Sequence, residues 1–200
     1  MKVPFLILLA TLFLSIWHLP VEDENLDTLT GSFLIASNQI EDLGFAKTVI
    51  YIVKHDKRGA MGIIINRPQD KVSFAKISEI MGWEELSANE AQVDVFYGGP
   101  VEFRRSFFLH SSDVLLETSS IVDQGVAFTT DPDLLKSIAQ GKGPQNYIFA
   151  LGYAGWVSSQ LEAEIARGAW LTQKGDLISL FSNDPEKMWE LLIGERIFRL

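Results

Sequence analysis

Two stretches of this sequence carry side chains whose types and spacing can do chemistry. The first runs from Gly152 through Tyr153, Gly155 and Trp156 to Gln160, Glu162 and Glu164. It reads as a glycine turn between a strand and a helix, a geometry that presents backbone N–H groups to an anion. Gln160 and Glu164 lie one helical turn apart on a shared face and add polar contacts there. A glutamate in such a place becomes a general base where burial raises its pKa. The competing reading is strand–helix packing, with Trp156 and Trp170 as core aromatics and Glu164 paired with Arg167.

The second stretch gathers Lys54, His55, Lys57, Arg58 and Arg67 into a locally basic hairpin, with Asn66 able both to donate and to accept. On an acidic protein that cluster suits an anionic ligand. Its competing reading is a solvated turn, with Asn66, Arg67 and Pro68 ending a strand. Taken together, the candidate ligand-binding residues are His55, Asn66, Arg67, Gly152, Tyr153, Gly155, Trp156, Gln160 and Glu164. The ligand expected between the two stretches is a small anion, and a protein partner is the other expectation. Gly98-Gly99-Pro100 reads as a bend rather than a phosphate cradle.

Several mechanisms lose their signatures. The sequence has no Walker loop, no G-x-G-x-x-G, no G-x-S-x-G elbow and no H-E-x-x-H. His18, His55 and His110 show no paired ligand spacing, so no metal site is predicted. With no cysteine, disulfides, thiolate catalysis and Cys-ligated metals are excluded. No cofactor is predicted. The enzymatic alternative is a hydrolase-like site pairing Glu162 or Glu164 with His55 or His110. The balance of 17 Lys+Arg against 26 Asp+Glu gives a net charge of −9, which disfavours general nucleic-acid binding. Direct DNA recognition as a transcription factor is therefore the weakest reading.

The elements that must position these residues follow from the hydropathy pattern. Phe33 to Ala36 is a short buried strand. Thr48 to Lys54 and Met61 to Asn66 are β-branched runs joined by a turn, and so form a hairpin that Pro68 takes out of the sheet. Apolar residues from Val72 to Met81 recur at helical spacing and stop at Gly82. Val93 to Tyr97, Ser106 to His110, Val126 to Thr130 and Asn146 to Leu151 read as strands. Asp131-Pro132 opens a helix ending near Gly141. Ser159 and Glu162 are spaced as a capping box, and Val157, Leu161 and Ile165 form the buried stripe of the helix that Gly168 closes. Asp184-Pro185 starts a last helix that runs through Leu192 and is capped by Gly194. The result is one α+β domain over residues 29–200, behind an apolar leader at 1–20 and an acidic linker at 21–28.

The leader has the charged-then-apolar layout of an export signal, from Lys2 through the run Phe5 to Trp17. That run is shorter than the roughly 20 residues a membrane-spanning helix needs, and bulky Trp17, His18 and Leu19 leave no clean cleavage site. Weak membrane association through residues 5–17 is one expectation. An extension from an upstream start site, or an apolar segment packing on the domain, is the other.

The domain also resembles a known family. Gly31 to Ala36, Phe45, the strand Val49 to Val53, His55, Gly59 to Pro68, Gly98-Gly99-Pro100, Gly152 to Trp156 with Gln160, Leu161, Glu162 and Glu164, and Ala169 to Leu171 together resemble the AlgH/YqgE proteins of bacteria. The resemblance runs from about Leu29 to the C-terminus. It implies a mixed, bifurcated and partly barrel-like sheet surrounded by helices, a cytoplasmic location and no established reaction. The family name reflects a proposed part in regulating alginate synthesis. Two departures stand out: the leader, and a loop from Asn38 to Gly44 without the proline common before Phe45. The leader makes export or membrane anchoring the alternative location. Function is thus expected to be binding or regulation.

Overall fold

The computed structural model describes residues 28–86, 89–181 and 184–197. The leader and all of the acidic linker but Thr28 lie outside the described residues. Among the described residues, no helix is long and apolar enough to cross a membrane.

The core hairpin forms as its composition demands. Strand β1 (Ser32–Ala36) pairs antiparallel with β2 (Val49–Asp56), and β2 with β3 (Gly59–Ile64). Their side chains are buried on both faces through Phe33, Leu34, Ile35, Val49, Ile50, Tyr51, Ile52, Ile63 and Ile64, which is why these runs are continuous rather than alternating. After β3 the chain does not leave the sheet. Pro68 instead begins β4 (Pro68–Ser73), a polar edge strand on β5 (Gln92–Tyr97). A proline is tolerated at the first residue of an edge strand because no ladder donor is required there. Helix α1 (Phe74–Met81) therefore starts two residues later than the apolar spacing suggests, capped by the Ser73 hydroxyl and closed by Gly82 in the left-handed conformation.

The remaining strands are β6 (Val101–Ser111), β7 (Ser120–Asp123), β8 (Val126–Thr129), β9 (Tyr147–Val157) and β10 (Trp170–Lys174). Helices α2 (Asp133–Ala139), α3 (Gln160–Ala166), α4 (Leu177–Leu180) and α5 (Pro185–Ile197) flank the sheet. The last of these continues through Gly194 rather than stopping there. It is fastened to β1 by the buried Trp189 indole, which donates to the Ala36 carbonyl at 2.7 Å.

The sheet order is β10-β1-β2-β3-β9-β6-β8-β7, with β5 joining β9 from the side. Strand β9 is the fork. Its first half pairs with β6 and, in parallel, with β5, whereas its second half, Ala154 to Val157, pairs with β3. The change of partner falls at Gly152, whose φ of 77° bends the strand without ending it. Gly152 to Trp156 is thus strand throughout, not the turn expected from its glycines. A Cβ on Gly152 would sit 2.2 Å from the Gly99 carbonyl oxygen, and one on Gly98 would sit 2.2 Å from that of Gly152. Gly98 and Gly99 therefore let two backbones cross at the fork, which is the physical reason for that glycine pair.

The sheet curls into a half-barrel whose two outer strands approach each other: Lys174 on β10 meets Asp123 on β7 at 2.5 Å. No ladder joins them; the side-chain bridge and α4 close the gap, with Leu177 packed against Gly125. The large core fills the barrel, and a smaller cluster of Phe74, Ile77, Val93, Phe108, Leu134 and Phe149 packs α1 and α2 on the outer face. The fold is therefore α+β, single-domain, bifurcated and partly barrel-like.

The core also holds a buried histidine. His110 on β6 is fully buried, its Nδ1–H donating to the Ser111 carbonyl at 3.0 Å and its Nε2 accepting from Ser119 at 3.3 Å. Burial pushes its pKa below the ordinary histidine value, against smaller opposing contributions from the Ser111 carbonyl and Asp113. The neutral ring is folded in, while the unfolded chain protonates near the usual value, so stability is lost as pH falls below about 6.5. The unfolding free energy from urea denaturation should decline as pH falls below about 6.5, at up to ~1.4 kcal/mol per pH unit from this ring. His110→Asn should flatten that part of the profile; an unchanged slope would assign it elsewhere.

Candidate functional site

Helix α3 organises the polar side chains. It follows β9 through Ser159, which adopts a φ of 63° and makes no side-chain cap, so the expected capping box does not form. Leu161 anchors the helix in the core, and Ile165 packs against it. Val157, expected in the same stripe, still belongs to β9 and is 71% exposed.

From this helix Glu164 reaches over the end of the sheet. Its Oε2 accepts from the Trp156 indole at 2.9 Å and the Trp170 indole at 2.8 Å; its Oε1 accepts from the Gln160 amide at 2.9 Å. The Gln160 carbonyl oxygen in turn accepts from Val157 N–H, so the amide orientation is set. Burial raises the Glu164 carboxyl, but the donors Trp170, Gln160 and Trp156 and the charge of Arg167 outweigh it. Its pKa is lowered. The carboxylate is thus held ionised by neutral N–H donors, and it is a weak base.

Around it lies a cleft of about 400 Å³ lined by Ile40, Asp42, Phe45, Gly155, Trp156, Gln160, Glu164, Arg167, Ala169 and Trp170. Phe45 meets Trp170 edge-on at 6.0 Å between ring centroids, and Trp170 meets Trp156 edge-on at 6.1 Å. The three rings form a continuous apolar wall beside the carboxylate.

The far wall is the loop 38–47, and Asn66 and Arg67 hold it. The Asn66 amide acts as an extra peptide unit, accepting from Val49 N–H at 2.7 Å and donating to the Lys47 carbonyl at 2.9 Å. Arg67 spreads its guanidinium over the carbonyls of Leu43, Gly44 and Ala46 at 2.9 to 3.0 Å. These two residues line a second cleft, of about 470 Å³, with Gly44, Pro68, Gln69, Tyr97 and Glu186. The loop separates the two clefts. Arg67→Ala should cost about 1–3 kcal/mol and speed amide exchange at Phe45 and Ala46. Protected amides there in the variant would show that the loop holds itself.

His55 lies in neither cleft. Its side chain is 3% exposed, and its Nδ1 accepts from the Leu29 backbone N–H at 3.0 Å, which places the ring hydrogen on Nε2. That hydrogen is donated to Glu162 Oε1 at 2.8 Å. Glu162 is held below the ordinary glutamate range, first by its own backbone N–H and then by His55. Both ring nitrogens are spent on fixing the start of the domain to α3. The basic hairpin is likewise internally paired in part, Lys54 and Arg58 both meeting Asp56.

The nine candidate residues therefore fall into groups. Gly155, Trp156, Gln160 and Glu164 come together in the aromatic cleft; Asn66 and Arg67 stand behind its wall; His55 is on the other side of α3. Gly152 and Tyr153 are at the fork, where the Tyr153 ring packs edge-on against Phe107 at 5.4 Å. Ile40, Asp42 and Arg167 were not legible as cleft residues, and Phe45 was marked only by the family resemblance. Among the described residues, no group of three His, Asp or Glu side chains is placed to hold a metal ion.

Known proteins are similar to this chain over most of its length. A family model described as AlgH-like matches residues 33–196. The chain belongs to the AlgH-like family. A UPF0301 protein of Thioalkalivibrio sulfidiphilus is 44% identical over 161 residues, covering 80% of this chain and 86% of its own length. Another from Rhodopseudomonas palustris is 41% identical, covering 82% of this chain and 78% of its own. The solution structure of the AlgH protein from Pseudomonas aeruginosa superposes with a TM-score of 0.71 at 34% identity, covering 88% of this chain and 92% of that one. A crystal structure of a Corynebacterium diphtheriae protein shares the fold with a TM-score of 0.63 at 16% identity, covering 82% and 85%. AlgH-like proteins have no established reaction, and the AlgH-like fold alone assigns none.

Proposed function

We propose that this AlgH-like chain is a non-catalytic binding domain whose ligand occupies the aromatic cleft between loop 38–47 and α3. One observation carries the reading: the Glu164 carboxylate accepts from two indoles and an amide, each at 2.8 to 2.9 Å. Such a group is oriented and stabilised as an anion, which suits recognition and works against proton abstraction. The cleft volume of about 400 Å³ falls in the range of small-ligand sites. The hydrolase-like alternative has its Glu–His pair in His55 and Glu162, but that histidine is buried with both nitrogens engaged. Regulation would follow if ligand occupancy moved loop 38–47, a cleft wall made of neither strand nor helix.

Native mass spectrometry of the full chain purified from its source cells tests the reading, with Glu164→Gln and Arg67→Ala beside it. A retained small molecule that is lost or weakened in both variants is expected. A ligand retained equally by all three proteins would place the binding site elsewhere.

A further inference from the structure

The chemistry of the cleft specifies a ligand class, an inference that rests on the binding reading above. The lining carries two carboxylates, Glu164 and Asp42, against one guanidinium, Arg167, so its formal charge is −1. The neighbouring cations are committed elsewhere. Arg67 is fixed on three backbone carbonyls of the loop, behind the wall rather than in the cleft. Lys47 lies over the Trp189 ring at 5.4 Å. No glycine turn offers backbone N–H groups either, because Gly152 to Trp156 is strand.

The polar end of the cleft is built for a positive charge. Glu164 is hydrogen-bonded by three neutral donors, and Arg167 acts on it through its charge without a direct hydrogen bond, so an acceptor position stays open beside the carboxylate. Three hydrogen bonds occupy its two oxygens, and an ionised carboxylate offers about four acceptor positions, which leaves one for an incoming N–H. The apolar side is Phe45, Trp156, Trp170 and Ile40, a surface that accepts an alkyl stem and favours a cation over an anion near its ring faces. We infer that the cleft binds an organic cation: an alkylammonium or alkylguanidinium group whose N–H meets Glu164 and whose stem lies along Phe45 and Trp170. A free amine and a Lys or Arg side chain share this chemistry.

The test is a titration of the full-length ¹⁵N-labelled protein with n-butylguanidinium, n-butylammonium, butyramide and butyrate. The indole N–H resonances of Trp156 and Trp170 report the cleft directly. Saturable shifts at both indoles with the two cations, and none with butyrate, are expected. Asp42→Asn keeps the oxygen that accepts from Gly44 N–H while removing the charge. It should weaken the cations about 3- to 10-fold, the loss of one partly screened charge. Glu164→Gln, which preserves an acceptor for the indoles, should weaken them at least as much.

Shifts with butyrate or butyramide equal to those with the cations would overturn the charge assignment and leave the binding reading standing. Silence from all four probes would overturn both. A capped Gly-Arg-Gly peptide run in parallel separates the sources: binding at or above the butylguanidinium level assigns the cation to a partner's side chain. Binding of the free cations alone assigns it to a small molecule.

Discussion

Gly152→Ala should leave the chain largely unfolded, with a loss of at least about 3 kcal/mol where the folded state survives. Two separable causes add. At a φ of 77°, any Cβ brings the left-handed penalty, roughly 1–2 kcal/mol. The new methyl would also stand 2.2 Å from the Gly99 carbonyl oxygen and 3.0 Å from both the Val101 carbonyl oxygen and the Phe103 Cα. These are backbone atoms of the Gly98–Pro100 connection and the start of β6, so none can rotate aside as a side chain would. Gly82→Ala is the control. Its φ is 71°, nearly the same, yet a Cβ there meets nothing within 4 Å. It should lose only the conformational part, about 1 kcal/mol. Urea denaturation of the two variants separates strain from collision. Equal losses would mean that the fork relaxes to admit a side chain, and that the glycine crossing is not what holds β3, β5 and β9 together.

That glycine also marks the limit of what local sequence encodes. Glycines inside an apolar run usually mark a turn. Here one marks a strand changing partners, and the alternative depends on β3, β5 and β6 arriving from positions 40 to 100 residues away. Local pattern carries no trace of that. Strand β4 was illegible for a related reason: Pro68-Gln69-Asp70-Lys71 has neither β-branched residues nor alternation, and its pairing to β5 is imposed by the neighbour. Where burial is two-sided and the segment short, as in β1 to β3, hydropathy sufficed. The site divides the same way. Gln160 and Glu164 were legible because helical spacing is local; the joining of Trp156 and Trp170 through one carboxylate was not, since the expected partner of Glu164 was Arg167. Asn66 and Arg67 stand out in the sequence as polar groups able to hold an anionic ligand. Their partners are carbonyls of a loop some twenty residues upstream, which no spacing rule reveals.

The cleft's own energetics lead to the other large effect. Glu164→Leu should destabilise the chain by about 2–4 kcal/mol, because it strands two indole N–H groups in a largely buried setting and the leucine offers them nothing. Trp156 and Trp170 are 8% and 4% exposed, so water can satisfy them only if the rings move. Glu164→Gln should cost ~1 kcal/mol or less, since its amide oxygen can take both indoles while its NH₂ faces a reoriented Gln160. The pH profile supplies the sign. With the folded pKa of Glu164 lowered, its stabilising contribution is present above the unfolded value and is lost as pH falls through the folded one. The wild type should therefore lose more stability on acidification below about pH 4.5 than Glu164→Gln does, while above it the two run parallel. The indole N–H resonances should move downfield to upfield in Glu164→Leu as their acceptor vanishes. If Glu164→Leu and Glu164→Gln were equally stable, the carboxylate would contribute nothing to holding the two tryptophans, and the cleft would not be preorganised. Loss of stability confined to Glu164→Leu, with intact folding in Glu164→Gln, is what makes the glutamine variant a clean probe of charge in the cleft rather than of the fold around it.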